Sequence, residues 1–381
     1  MNSTYKYFIL SFALLPVTIH AADLTGRFSM LGTTARATQG DISYLNKDNT
    51  LTADQQSVRL MLDDSLDNGE WSAHVKVVRL HLSDFLFSDV HSSDLFRVEK
   101  LSSYWSEEND TNNTSRFGYE IDRAVYKHRF QNSTLAIGRQ PIDWGSGKFW
   151  QPLNVFGAFS PTDLDTDYKP GVDAATLDWF PTDFSSLTAV YTFSPNDNSV
   201  VNNTTSAALH YRSQVGEQSE FALLTAGVIG NRVLGASFES AWAGMGWRIE
   251  AAHYNTEDNQ NSVFWIAGID YQFSNGTYLT AEWYNNSRGA NDTTSLMNTN
   301  VLTDALIKYG LQQQLSQNVL GISVNKDLTP LLSASYILLA SPIKDVDGGL
   351  TTSLLHQVNL SYSVSNESDL LFSFQFANGR G

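Results

Sequence analysis

The chain has 381 residues, a formal net charge of −16 at pH 7 and no cysteine. Disulfides, thiolate metal sites, iron–sulfur clusters and covalently attached haem are therefore excluded. The excess of Asp and Glu argues against a nucleic-acid partner, because phosphate binding requires clustered Lys and Arg. Aromatic residues make up 12% of the chain, and Gly and Asn are frequent, which favours strands and turns over helices.

The N-terminus has the pattern of a secretory signal peptide. Lys6 precedes an apolar run over residues 8–19, and Ile19-His20-Ala21 forms a small-residue cleavage site. The run is shorter than the ~20 apolar residues that span a bilayer, which disfavours the alternative of an anchor helix. We predict that residues 1–21 are removed and that residues 22–381 form one domain. No later run is apolar over the length that a transmembrane helix needs.

After residue 22, apolar and polar residues alternate in short segments, with the charges on one face only. The clearest segment spans residues 263–273, and the hairpin signal Ser274-Asn275-Gly276 follows it. Many apolar faces begin or end on an aromatic residue, as the interfacial girdles of membrane barrels do. The other clear segments are residues 71–77, 187–193, 247–251, 279–284 and 358–364.

The connections between these segments alternate in length. Short turns such as Asp67-Asn68-Gly69 are followed by longer polar links, and only Gly230-Asn231 breaks the series of long links. This order is typical of an outer-membrane barrel with short periplasmic turns and long extracellular loops. A secreted β-sandwich also alternates, but it does not require that asymmetry. The predicted fold is all-β: a single antiparallel up-and-down transmembrane β-barrel. The predicted long links are residues 37–56, 83–116, 141–171, 194–203, 255–261, 286–316 and 342–352.

The segments predict 17 strands, within a range of about 16–18. An odd number conflicts with the even strand number of bacterial single-chain barrels. The last predicted strand has Leu370, Phe372, Phe374 and Phe376 on its apolar face, and the chain ends on Gly381 without a terminal aromatic residue. We therefore expect that a closing strand is missing and that the full form has about 18 strands.

One stretch, Gln140–Asp173, has no strand or helix periodicity and holds four of the nine prolines. A long irregular loop within a regular fold is usually functional or disordered, and the aromatic residues here argue against disorder. The whole mature chain resembles Gram-negative outer-membrane porins. More closely, Gly138–Phe156, with its Trp-Gly-Ser-Gly, and Asp165–Ala174, with its Lys-Pro-Gly-Val-Asp, resemble a motif of poorly characterised proteobacterial porin-like barrels.

The resemblance to porins implies a role for this loop. Residues 141–171 are the third long link, and the third extracellular loop of general porins folds into the lumen and narrows it. We expect the same of this loop by position, since its residues do not match the general-porin loop. Its predicted anchors to the wall are aromatic side chains, for which pinning is favoured over sugar binding. They are Trp144, Phe149, Trp150 and Phe156.

Barrels of this size enclose an aqueous channel whose selectivity follows the charges that line it. Carboxylates outnumber cations among the candidates, which predicts a modest preference for cations. The predicted constriction residues on the loop and its flanks are Arg139, Asp143, Lys148, Asp163, Asp165, Asp167, Lys169 and Asp173. The predicted lining residues on the wall are Arg248, Glu250, Asp270 and Glu282.

Other chemistry is poorly supported. Residues 144–148 match part of the phosphate-binding loop motif, but Ile142 and Phe149 stand where the motif requires Gly and Ser/Thr. Asp163, Asp165 and Asp167 have the spacing of a calcium loop, yet its Gly and bidentate Glu are absent, so solvated carboxylates are the simpler interpretation. The scattered histidines form no hydrolase motif. We predict no metal, no cofactor and no catalysis.

The function predicted from the sequence is passive diffusion of small hydrophilic solutes across the outer membrane of a Gram-negative bacterium. The expected partners are outer-membrane lipid and lipopolysaccharide, the solutes and the barrel-insertion machinery. A non-channel surface barrel, acting as an adhesin or an assembly scaffold, is the alternative, and an outer-membrane hydrolase comes third. Monomer and trimer are both compatible with the sequence.

Overall fold

The computed structural model describes residues 22–36, 50–82, 95–98, 115–157, 159–163, 168–193, 205–256, 260–297, 306, 310–311, 314–345 and 347–378. Strands dominate these residues, and the named helix α1 has a single turn. The elements are β1 (Asp23–Arg36), β2 (Thr50–Leu66), β3 (Gly69–Leu82), β4 (Ser115–Arg129), β5 (Ser133–Gln140), β6 (Val172–Thr182), β7 (Ser185–Thr192), β8 (Ala207–Val215), β9 (Ser219–Val228), β10 (Asn231–Trp242), β11 (Met245–Asn255), β12 (Asn261–Gln272), β13 (Tyr278–Asn286), α1 (Thr293–Met297), β14 (Asn318–Thr329), β15 (Leu332–Lys344), β16 (Leu350–Ser365) and β17 (Ser368–Asn378).

All seventeen strands of the described residues belong to one sheet. Each strand pairs antiparallel with the next along the chain, from β1 with β2 through β16 with β17. The predicted up-and-down order and the strand number are confirmed. Because their numbers are both odd, β1 and β17 run in the same direction. The predicted closing strand stays a prediction.

The connections confirm the predicted alternation. At one end of the sheet they are short turns, for example residues 67–68, 183–184 and 243–244. At the other end lie the long links 37–49, 83–114, 141–171, 193–206 and 287–317, with two five-residue links. The predicted exception is also present at that end. Ile229 and Gly230 form a two-residue turn with positive φ angles of 48° and 76°, the backbone of a type I′ hairpin.

Side chains alternate between the two faces of the strands as the sequence predicts. On β11, Trp247 and Ile249 face outward, with Ile249 51% exposed, whereas Arg248 and Glu250 are buried on the other face. On β12, Val263, Ile269 and Tyr271 are exposed, while Phe264 and Ile266 are buried. One face of the sheet is thus an apolar surface, which suits contact with lipid, and the other carries the charged groups of β11 together with buried apolar side chains of β12.

Within the described residues, no helix is both long enough and apolar enough to cross a membrane. The predicted signal peptide, residues 1–21, lies outside the described residues.

Candidate functional site

The link between β5 and β6, residues 141–171, reaches the far side of the sheet. Its segment 146–153 hydrogen-bonds to side chains on β11 and β13. β13 is eight strands beyond β5, which is about 38 Å along a flat sheet at about 4.8 Å per strand. Contact over that separation requires the sheet to curl around the loop. The inward face of the sheet is therefore the face that the loop touches, and we call residues 141–171 the crossing loop.

Glu282 on β13 holds the crossing loop through three consecutive backbone amides. The amides of Lys148 and Trp150 donate to its carboxylate at 3.0 and 2.9 Å, and the amide of Phe149 donates at 3.1 Å. The side chain of Glu282 is buried, as the residue is only 1% exposed. Hydrogen bonds to a buried carboxylate are stronger than those between neutral groups, so this contact fixes the turn at residues 148–150 against the wall.

Glu250 on β11 provides a second attachment. Its carboxylate accepts hydrogen bonds from the amides of Ser146 and Leu153, both at 2.6 Å, and from the hydroxyl of Ser146 at 3.2 Å. Glu250 is fully buried. Both of these predicted wall carboxylates thus lie beneath the crossing loop and are engaged by its backbone, which sets them apart from charges that face water.

Aromatic side chains of the crossing loop pack beside these carboxylates. Trp150 is fully buried with its ring centroid 5.1 Å from that of Tyr284 on β13, and Phe149 packs against Gly321 on β14. Trp144 stacks on His210 of β8 at 4.8 Å. Phe156 contacts Trp144 at 5.6 Å and Phe96 of the preceding long link at 5.3 Å.

These contacts belong to an apolar core inside the curled sheet. It joins Leu153 and Phe156 of the crossing loop with inward residues of β6–β15 and with residues of two other long links. Leu95, Phe96 and Leu306, which come from those links, are each at most 1% exposed. The interior toward the long-link end is thus packed by the loops themselves.

A polar cluster closes the base of the crossing loop. The Lys169 ammonium donates to Asp143 at 2.7 Å and to Asn154 at 2.8 Å, and Asn154 donates to Asp143 at 2.6 Å. Lys169 is buried, whereas the side chain of Asp143 is 60% exposed. Burial lowers the pKa of Lys169 to about 8, against the opposing pull of the Asp143 carboxylate. The cluster ties the two ends of the loop together.

Arg139 and Asp173, both predicted constriction residues, face each other across β5 and β6. The guanidinium binds the carboxylate through two nitrogens, at 2.7 and 2.8 Å, and donates to the carbonyl of Ile121 at 2.6 Å. Such a bidentate pair holds both side chains in fixed positions where the crossing loop leaves and rejoins the sheet.

Sequence reasoning missed a group of charged residues on the neighbouring strands. The register of β3 and β4 shifts between His74 and Val75, and Asp122 and Arg123 are both buried at that irregularity. Asp122 pairs with Arg59 of β2, and Arg123 donates to the carbonyl of Lys169. The adjacent charges Asp122 and Arg123 within a predicted strand are the signal that could have indicated this irregularity, because a bulge places neighbouring residues on the same face.

The other predicted site residues are more dispersed. Arg248 pairs with Asp270, which also accepts a hydrogen bond from Tyr278 at 2.8 Å. Lys148 is exposed on the crossing loop. Asp163 caps a turn of that loop by accepting the amide of Ser160 at 2.8 Å. Asp165 and Asp167 lie outside the described residues.

No family model and no curated protein matches the sequence. Solved structures are similar in fold. OccAB4 of Acinetobacter baumannii shares 12% identity at a TM-score of 0.57, with 94% of each chain covered. OpdK of Pseudomonas aeruginosa, solved with vanillate, shares 10% identity at 0.56, with 94% of this chain and 93% of that chain covered. A BenF-like porin from Pseudomonas fluorescens Pf-5 shares 9% identity at 0.58 with the same coverage. The chain has the fold of outer-membrane porins.

Proposed function

We propose that this protein is an outer-membrane channel through which small hydrophilic solutes diffuse passively. The observation that carries the proposal is the crossing loop, held across the interior of a porin-like fold by Glu250 and Glu282. A loop in that position narrows the interior. It does not cover the inward polar faces of the strands that it does not contact. The apolar outward face would contact outer-membrane lipid and lipopolysaccharide, and insertion would need the barrel-insertion machinery.

The loop can be tested by deletion. Removing residues 146–165 should raise the single-channel conductance in planar bilayers several-fold, because it removes the residues that span the interior. Shortening the connection 256–260, at the same end of the sheet, is the control and should leave conductance near the wild-type value. A deletion variant that folds and conducts like the wild type would show that the loop lies outside the conducting path.

We further propose a modest preference for cations, drawn from the excess of carboxylates in the sequence. Many charges of the described residues are paired with the opposite sign, for example Arg59 with Asp122, Arg139 with Asp173, and Arg212 with Glu220. The carboxylates of Glu250 and Glu282, which are counted in that excess, accept hydrogen bonds from the crossing loop. Reversal potentials under a salt gradient test the proposal, and anion selectivity would contradict it.

The buried ammonium of Lys169 predicts a pH effect. Because its pKa is lowered to about 8, Lys169 loses its charge between pH 7 and pH 9. Loss of a positive charge from the interior should shift the reversal potential toward that of a more cation-selective pore. The reversal potential of Lys169→Met should already be shifted at pH 7 and should show no further step as the pH is raised to 9.

Lys148→Met, which removes an exposed ammonium from the same loop, should keep the step near pH 8. If Lys169→Met also keeps the step, another group titrates and the assignment to Lys169 fails.

A surface barrel that does not conduct is the second candidate. The apolar core of loops inside the sheet favours it, since packed side chains leave less room for water. Absence of conductance from a fully folded preparation would support this candidate and contradict the channel.

A further inference from the structure

The inward face of β14, β15 and β16 is lined toward the short-turn end by uncharged polar side chains. Cross-strand pairing places them side by side, Asn325 opposite Ser335, and Ser335 opposite Asn359. Ser333 and Ser361 form the next pair toward the turns. We call these five residues the amide–hydroxyl surface.

A cavity of about 380 Å³ lies on this surface. Its walls include all five residues, together with Asp163 from the crossing loop, Lys326 and Asp327 from β14, Ala334 from β15 and Leu371 from β17. The volume is within the usual range for small-molecule sites, about 300–1,000 Å³. The crossing loop thus covers one side of a polar pocket, and the strands form its floor.

The hydrogen bonds within the surface are few and leave groups available. The amide of Asn359 donates to the Ser335 hydroxyl at 3.2 Å. The amide of Gln357, two positions before Asn359 on β16, donates to the side-chain carbonyl oxygen of Asn359 at 3.0 Å. Gln357 is only 2% exposed. Among the described residues, its own carbonyl oxygen is buried and has no hydrogen-bond partner.

The chemistry of this lining selects for one kind of solute. Serine hydroxyls and asparagine amides each offer both donors and acceptors, which match hydroxyl groups that also donate and accept. Carboxylates such as Asp163 and Asp327 accept hydrogen bonds from hydroxyls as well. The lining carries residues of both charge signs, Asp163 and Asp327 against Lys326, so neither an anionic nor a cationic solute matches it throughout.

We propose that the amide–hydroxyl surface and the cavity on it bind a neutral polyhydroxylated solute of the size of a monosaccharide. The binding site does not depend on the proposed channel function. Only the consequence of the site depends on it, namely that such solutes pass along this wall. The site itself is a property of the folded chain, so binding can be measured without conduction.

The test uses the full chain, refolded in detergent, and three probes of matched size: glucose, gluconate and glucosamine at a pH where its amine is charged. Equilibrium dialysis with labelled probes should show glucose bound more tightly than either charged analogue. Ser335→Val combined with Asn359→Leu should weaken glucose binding about tenfold, since it removes two groups that hydrogen-bond to the solute. The double variant removes both partners of the Asn359–Ser335 hydrogen bond, and the Gln357 amide that donated to Asn359 keeps its hydrogen bond to the Ser373 hydroxyl at 3.3 Å, which favours folding.

The matched control is Ser29→Val combined with Ser57→Val. These two hydroxyls hydrogen-bond to each other at 2.7 Å across β1 and β2, away from the cavity. The control should bind glucose as the wild type does. Equal loss in both double variants, tighter binding of glucosamine, or no binding of glucose by the wild type would each overturn the proposal.

Conductance of the same preparation separates the two hypotheses. A protein that conducts but does not bind glucose retains the proposed function and loses this site. A protein that binds glucose but does not conduct keeps the site and contradicts the channel.

Discussion

Replacing both Glu250 and Glu282 with glutamine is expected to detach the crossing loop and raise single-channel conductance several-fold. Together the two carboxylates accept five backbone amides of residues 146–153. A glutamine offers one acceptor oxygen, and its NH₂ group would face amide donors. At about 1.5–3 kcal/mol for each hydrogen bond to a charged group, the combined loss is on the order of 5 kcal/mol or more.

The control for this experiment is Glu367→Gln. Glu367 is exposed in the short turn between β16 and β17, away from the crossing loop. It should leave conductance unchanged. Limited proteolysis provides a second readout, because a detached loop should be cleaved faster within residues 146–153. A folded double glutamine variant with wild-type conductance and wild-type cleavage would refute the role of the two carboxylates.

Gly147→Ala is expected to disrupt the same region by steric conflict. A Cβ at this position would overlap the carbonyl of Trp150 and would lie 2.6 Å from Cδ1 of Ile266 on β12. The backbone carbonyl cannot move without breaking the amide contacts to Glu282, so the turn must shift. We expect a loss of about 3 kcal/mol in the stability of the docked loop. Higher conductance and faster cleavage of the loop would report it.

Gly227→Ala is the matched control, because no heavy atom lies within 4 Å of its added Cβ. It should be indistinguishable from the wild type in conductance and in loop cleavage. If Gly147→Ala behaves in the same way, the crossing loop is not packed against the wall as tightly as the contacts of Gly147 indicate.

Local pattern was enough to predict the frame of this protein. The alternation Trp247-Arg248-Ile249-Glu250 assigns each side chain to a face, because successive side chains of a strand point to opposite sides. The same rule gave the strand number and the alternation of short and long connections. The crossing loop was also visible as an irregular stretch rich in proline and aromatic residues, since irregularity, like periodicity, is a local property.

What only the tertiary structure decided is which groups meet across the interior. Ser146 and Glu250 are 104 positions apart in the chain, and no local pattern relates them. Glu250 and Glu282 were predicted as charges facing water, and the curvature of the sheet brings the loop amides onto them instead. The irregularity at Asp122 likewise depends on the register with β3. The sequence determined the faces of the strands, because that requires only neighbouring residues. The partners of the buried charges depend on how seventeen strands curl around one loop.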